Sequence, residues 1–161
     1  MSNIKKNFGR IWPVHVDALI VLMSRLRASF DGDLDEALIM AVIGSAALPR
    51  GRVPHDLSYE DFVHMARPKG FDVPLNTHSI AQITGIARET VRRKTGRLQS
   101  RGWIERGVDG YWKVAEAGAQ ELEPMTQLSL DYLTALSRVI FEDDIPHEPR
   151  RSRRAAASER D

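Results

Sequence analysis

Residues 77–114 read THSIAQITGIARETVRRKTGRLQSRGWIERGVDGYWKV, and this stretch decides the fold. Two short helical patterns, about 77–84 and 88–100, are separated by Gly85. Ile80 and Ala81 fall on the inner side of the first, where the small alanine lets the second helix come close. Gly85 stands where a tight inter-helix turn favours positive φ, which costs glycine little, and Ile86 plugs that turn. Val91 and Leu98, seven residues apart with Thr95 between them, anchor the second helix along one face. Downstream, the runs 103–106 (WIER) and 111–114 (YWKV) are aromatic and β-branched, and they flank Gly107-Val108-Asp109-Gly110. Such runs around an Asp-Gly turn predict a β-hairpin. Two helices meeting at a tight turn, followed by a hairpin, predict a winged helix-turn-helix.

The pattern leaves Arg88, Glu89, Arg92 and Arg93 pointing outward near the start of the second helix. Groove reading needs that geometry, because the first turns of a recognition helix approach the base edges. Arginine donates two hydrogen bonds to guanine O6 and N7, and glutamate accepts from cytosine N4. The candidate base-reading set is therefore Arg88, Glu89, Thr90, Arg92 and Arg93. Thr77, Ser79, Lys94 and Arg97 suit phosphate contacts that fix register. Arg106 and Lys113 flank the hairpin turn and suit the minor groove or the flanking backbone. The alternative is a helical bundle with an exposed basic helix.

The spacing Ala81-x3-Gly85-x5-Val91, then Arg97-Leu98-x3-Gly102-Trp103-Ile104 and a hairpin, resembles the winged helix-turn-helix of bacterial transcription regulators such as the MarR class. Arg88-Glu89-Thr90-Val91-x-Arg93 is also similar to the recognition helix of the catabolite activator (cyclic-AMP receptor) family. That resemblance implies base contacts from Arg88, Glu89 and Arg93. It covers about forty residues, a quarter of the chain. Ala87 departs from the pattern by offering no side-chain oxygen to cap the recognition helix. Lys94 stands where an apolar residue is usual, so it is expected to face phosphate. No cyclic-nucleotide β-roll precedes the motif, so that family's effector chemistry is not carried over.

Working outward, charge is segregated along the chain despite a net +1. Between Arg88 and Lys113 eight basic residues face three acidic ones, whereas 116–148 holds eight acids and only Arg138. A basic segment of this kind points to a polyanion partner. Residues 14–30 read as a helix, with Val16, Leu19, Ile20, Met23, Leu26 and Phe30 on one face and Pro13 at its start. Asp33 caps a second helix reaching about Ala47, apolar nearly all round, whose cover is expected from a second subunit. Ser58 begins a short capped helix, and Pro124 opens a last one over 125–141. The fold class expected is mainly α: a winged helix-turn-helix with an N-terminal helical extension and a C-terminal dimerisation helix. The expected division is 1–74, N-terminal and dimerising; 75–116, the winged DNA-binding domain; 120–142, a C-terminal dimerising helix; and 143–161, a disordered basic tail.

Other function classes find little support. Cysteine is absent, which removes disulfides, thiol nucleophiles and zinc-thiolate sites. His55, Asp56 and His64 lack ligand spacing, and no G-x-S-x-G, P-loop or G-x-G-x-x-G occurs, so neither metal, cofactor nor enzyme activity is expected. Trp12, Trp103 and Trp112 read as core or wing packing. No apolar run suits a signal peptide or a membrane span, so a cytoplasmic, nucleoid-associated location is expected. The sequence thus predicts a sequence-specific DNA-binding transcriptional regulator, a dimeric repressor on a palindromic operator with double-stranded DNA and a second copy as partners. A small-molecule effector pocket between the terminal helices stays open. The alternative from another class is a winged helix serving as a protein-interaction or assembly module.

Overall fold

The computed structural model describes residues 3–46, 48, 56–64 and 73–141. Helices α1 (Asn3–Lys6) and α2 (Phe8–Ser29) lead into α3 (Leu34–Ala46), α4 (Tyr59–His64), α5 (Thr77–Thr84) and α6 (Arg88–Ser100). The hairpin β1 (Ile104–Arg106) and β2 (Trp112–Val114) follows, then α7 (Glu116–Glu121) and α8 (Glu123–Phe141). The expected tail, 143–161, and His55 lie outside the described residues, and so does the side chain of His64.

The winged body is built around one core. Ile39, Met40 and Ile43 of α3 meet Ile80 of α5, Val91 and Leu98 of α6, and Trp103, Ile104 and Trp112 of the hairpin. The inner side of α3 is covered within the same chain, by α5, α6 and β2, while Leu34 and Leu38 stay exposed on its outer side. The core beneath the hairpin thus draws on α3 as well as on α5 and α6. Nothing in the α3 segment itself separates cover by a partner from cover by helices forty residues downstream, so its apolar girth was compatible with both.

Local signals set the junctions. Asn76 caps α5, its Oδ1 accepting from the backbone N–H groups of His78 and Ser79 at 2.9 Å. Gly85 has φ 72° and ψ 2°, the left-handed turn that only glycine adopts cheaply, and its N–H reaches the Ala81 carbonyl at 2.9 Å. The hairpin pairs Ile104 with Val114 and Arg106 with Trp112. The Trp112 N–H donates to the Leu75 carbonyl at 2.8 Å, tying the segment before α5 to the wing.

A second unit is the pair α2 and α8, which run antiparallel. Tyr132 and His15 share a hydrogen bond at 2.9 Å, and Arg25 and Ala28 lie beside Pro124 and Leu128. Helix α2 starts at Phe8, six residues before the expected start, so Pro13 lies inside it. Trp12 is half exposed and stacks between Phe8 and His15 instead of entering a core. The pair meets the winged body where Phe30 sits edge-on to Trp103, centroids 5.3 Å apart, and where Leu122 and Met125 touch the core. Helix α7, unforeseen in the sequence, brings Gly118 against the backbone of Trp103.

Candidate nucleic-acid interface

Helix α6 is sorted cleanly by phase. Its inner face holds Val91, Leu98 and Thr95, each at most 1% exposed, with the Thr95 hydroxyl donating to the Val91 carbonyl at 2.9 Å. That bond satisfies a polar group that would otherwise be buried without a partner. The opposite face exposes Arg88, Glu89, Arg92 and Arg93, and Thr90 is half-buried beside them. The helix start at Ala87 has no side-chain cap, which leaves the first N–H groups of α6 to water or an oxyanion.

Lys94 and Arg97 both meet carboxylates of the α2–α3 turn and the start of α3. Lys94 is 5% exposed, and its ammonium is held by both carboxylate oxygens of Asp33, with Asp35 at 3.9 Å. It does not face phosphate. Its phase on α6 turns it toward the α2–α3 turn, and an ammonium buried there needs a counter-charge. Arg97 reaches Asp33 at 3.3 Å and Glu36 at 3.2 Å while its side chain stays partly open to solvent. Arg101 extends the network to Asp31 and, at 3.8 Å, to Glu36, and its guanidinium lies over the Trp103 ring. Glu36 is fully buried, and neither of its oxygens receives a hydrogen bond among the described residues; the charges of Arg97 and Arg101 hold it there.

Burial alone would raise the Asp33 carboxyl above its usual range. The hydrogen bond from Lys94, the Glu36 N–H, and the charges of Lys94 and Arg97 outweigh burial and hold it below the usual range. These acidic partners lie 61 to 70 positions upstream of the bases they meet. A local charge count over 88–113 could not find them. The signal within reach was Asp31-Gly32-Asp33 itself, read as a helix break and cap but equally a carboxylate cluster facing an arginine-rich helix.

The remaining predicted contacts are partly engaged. Arg92 donates to Glu89 along the exposed face, at 2.8 and 2.6 Å. Arg106 donates to the Gly110 carbonyl at 2.9 Å and lies over the Trp112 ring, bracing the wing. Lys113 pairs with Asp109 at 3.5 Å, and Asp109 also accepts from the Tyr111 N–H, so the carboxylate at the tip is neutralised inward. Thr77 receives the Trp112 indole N–H at 3.4 Å, and the Ser79 hydroxyl donates to Asn76 at 3.2 Å. Arg88 and Arg93 are exposed and form no ion pair among the described residues.

A tight two-helix turn on a three-helix core, a second helix with a basic outer face, and a hairpin wing define a winged helix-turn-helix, the architecture that presents a helix to the major groove. The sequence of residues 55–116 matches the Crp-like helix-turn-helix domain family, which makes that segment a DNA-binding domain of the kind carried by transcription regulators. The match spans α4 to the end of the wing and leaves α1–α3, α7 beyond its first residue, and α8 outside it. No curated protein and no solved structure matches the chain. Among the described residues no helix is long and apolar enough to cross a membrane.

Proposed function

We propose that the protein is a sequence-specific, dimeric repressor that seats α6 of each copy in successive major grooves of a palindromic operator. One observation carries the base-reading part. The four charged side chains on the first turn and a half of α6 are exposed on one face, while its back is locked to the core. Arg88 and Arg93 are the readers of guanine, with phosphate contact from the α5 start at Thr77 and Ser79 and from the wing at Arg106 and Lys113.

The dimer rests on the outer faces of α2 and α8. Phe8, Trp12, Leu19 and Met23 recur along one stripe of α2 and are exposed, as are Leu133 and Phe141 on α8. An apolar stripe of this length is normally covered by a partner, and a second copy covers it symmetrically. Two recognition helices would then lie about 34 Å apart, one turn of DNA. Repression follows from occupancy, which needs no surface beyond the one that binds.

Substituting Arg88→Ala or Arg93→Ala should cost about 1–3 kcal/mol on the preferred site and flatten the base preference at one position each. Titration of each variant against the preferred site and against random duplex separates the alternatives. Equal losses on both would remove direct readout and leave backbone attraction alone. Absence of any duplex binding at low salt would favour a protein-interaction module.

A further inference from the structure

The exposed carboxylate of Glu89 stands among arginines on the face proposed to meet DNA, where phosphates repel it unless a donor neutralises it. Arg92, one turn on, supplies that donor twice over. Its Nε reaches Glu89 Oε2 at 2.8 Å and its Nη2 reaches Oε1 at 2.6 Å, the two-pronged fit of guanidinium to carboxylate. Both groups stay largely open to solvent, with side chains 69% and 73% exposed, so the pair is presented outward and not spent on packing. Bonding through Nε and one Nη2 hydrogen leaves the outer edge of the guanidinium, Nη1 and the other Nη2 hydrogen, unused. That edge is a fork of parallel donors, the shape that matches guanine O6 and N7.

We infer that Glu89 is a positioning residue that holds Arg92 as a guanine reader, and that it does not itself accept a hydrogen bond from a base. This rests on the base-reading face of α6 proposed above, and it departs from the role implied for Glu89 by the resemblance of the recognition helix. A flexible arginine loses several rotamers when it settles on a base; one already clamped to a carboxylate loses fewer. The pair is also neutral as a unit, so it adds little to binding of random duplex.

The test uses the full chain. A preferred duplex is first selected from random DNA, and affinities are then measured for that duplex with every base pair replaced in turn. Arg92→Ala should lower the preference for guanine at one base pair by about 5- to 150-fold. Glu89→Ala should weaken the preference at that same base pair by up to about fivefold, while leaving binding of random duplex equal or tighter. The double variant should be no less selective than Arg92→Ala alone, because Glu89 has then nothing to hold. Melting temperatures of all three should match the parent, since both side chains are exposed. If Glu89→Ala instead abolished a cytosine preference at a separate base pair, Glu89 would be a direct reader and the inference wrong. If either variant changed all duplexes by one common factor, the pair would be surface charge alone. A parent chain that selects no sequence would overturn the proposed function itself and this inference with it.

Discussion

Lys94→Ala is expected to lower the folding free energy by about 3–5 kcal/mol, the cost of removing one partner from a buried ion pair. The ammonium is enclosed and rests on Asp33, whose own side chain is only 18% exposed, and Glu36 lies fully buried alongside. Without Lys94 the Asp33 carboxylate keeps Arg97 at 3.3 Å and the Glu36 N–H at 3.0 Å but loses its main counter-charge, in a site still shielded from water. Two further outcomes define the effect. Lys94→Met combined with Asp33→Asn should recover most of the loss, because the charge and counter-charge leave together and Asn can still cap α3. The contribution of the pair should also depend on pH in one direction. The folded Asp33 carboxyl lies below its unfolded value, so the stabilisation is complete above about pH 5 and is lost as pH falls through the depressed value. Chemical denaturation of Lys94→Ala across pH 7 to 2 checks all of this. A loss below about 1 kcal/mol, the size of an exposed pair, would contradict burial, and a flattened salt slope on random DNA would restore Lys94 to phosphate.

Gly118→Ala should destabilise by about 3 kcal/mol, the upper end of overpacking, through a single added methyl. A Cβ at this position would stand 2.6 Å from Trp103 Cα and 2.7 Å from its carbonyl carbon, closer still to the carbonyl oxygen. Backbone cannot swing aside as a flexible side chain does. Helix α7 would have to lift from the start of β1, releasing the Ala115 N–H from the Trp103 carbonyl, now 3.0 Å away, and loosening Trp103 against Phe30. Gly9→Ala is the matched control. Apart from its chain neighbours and the backbone of its own helix, no atom lies within 4 Å of the added methyl, and Gly9 sits inside α2, so the change should stabilise by about 0.4–1 kcal/mol. Thermal melts of the two variants give opposite shifts on this account; equal shifts would mean that the approach of α7 to Trp103 is not tight.

The parts of this molecule legible in the sequence are those whose causes are local. Gly85 declares the turn because only glycine takes that φ cheaply, and Val91, Thr95 and Leu98 declare the inner face of α6 by their spacing. The hairpin is declared by Asp109-Gly110, although its strands are each one residue shorter than the aromatic runs. What eluded the sequence is long-range pairing. Lys94 is indistinguishable from a phosphate contact until the fold brings Asp33 beneath it, and Arg97 and Arg101 share that ambiguity. The all-round apolar α3 announces that it will be covered, not by what. Gly118 carries no signal either, since the approach that demands glycine comes from residue 103. The outcome for the site is a division of the basic residues of α6. Those of its first turns, Arg88, Arg92 and Arg93, remain on the outer face, and those of its inward side bind the helix to the α2–α3 turn.

Selection of bound fragments from random duplex DNA by the intact chain tests this division and the proposed function most directly. The account predicts one enriched motif, an inverted repeat with half-sites about 10 base pairs apart and guanines where Arg88 and Arg93 would lie. Binding of all duplexes alike, with no motif enriched at any salt concentration, would contradict it.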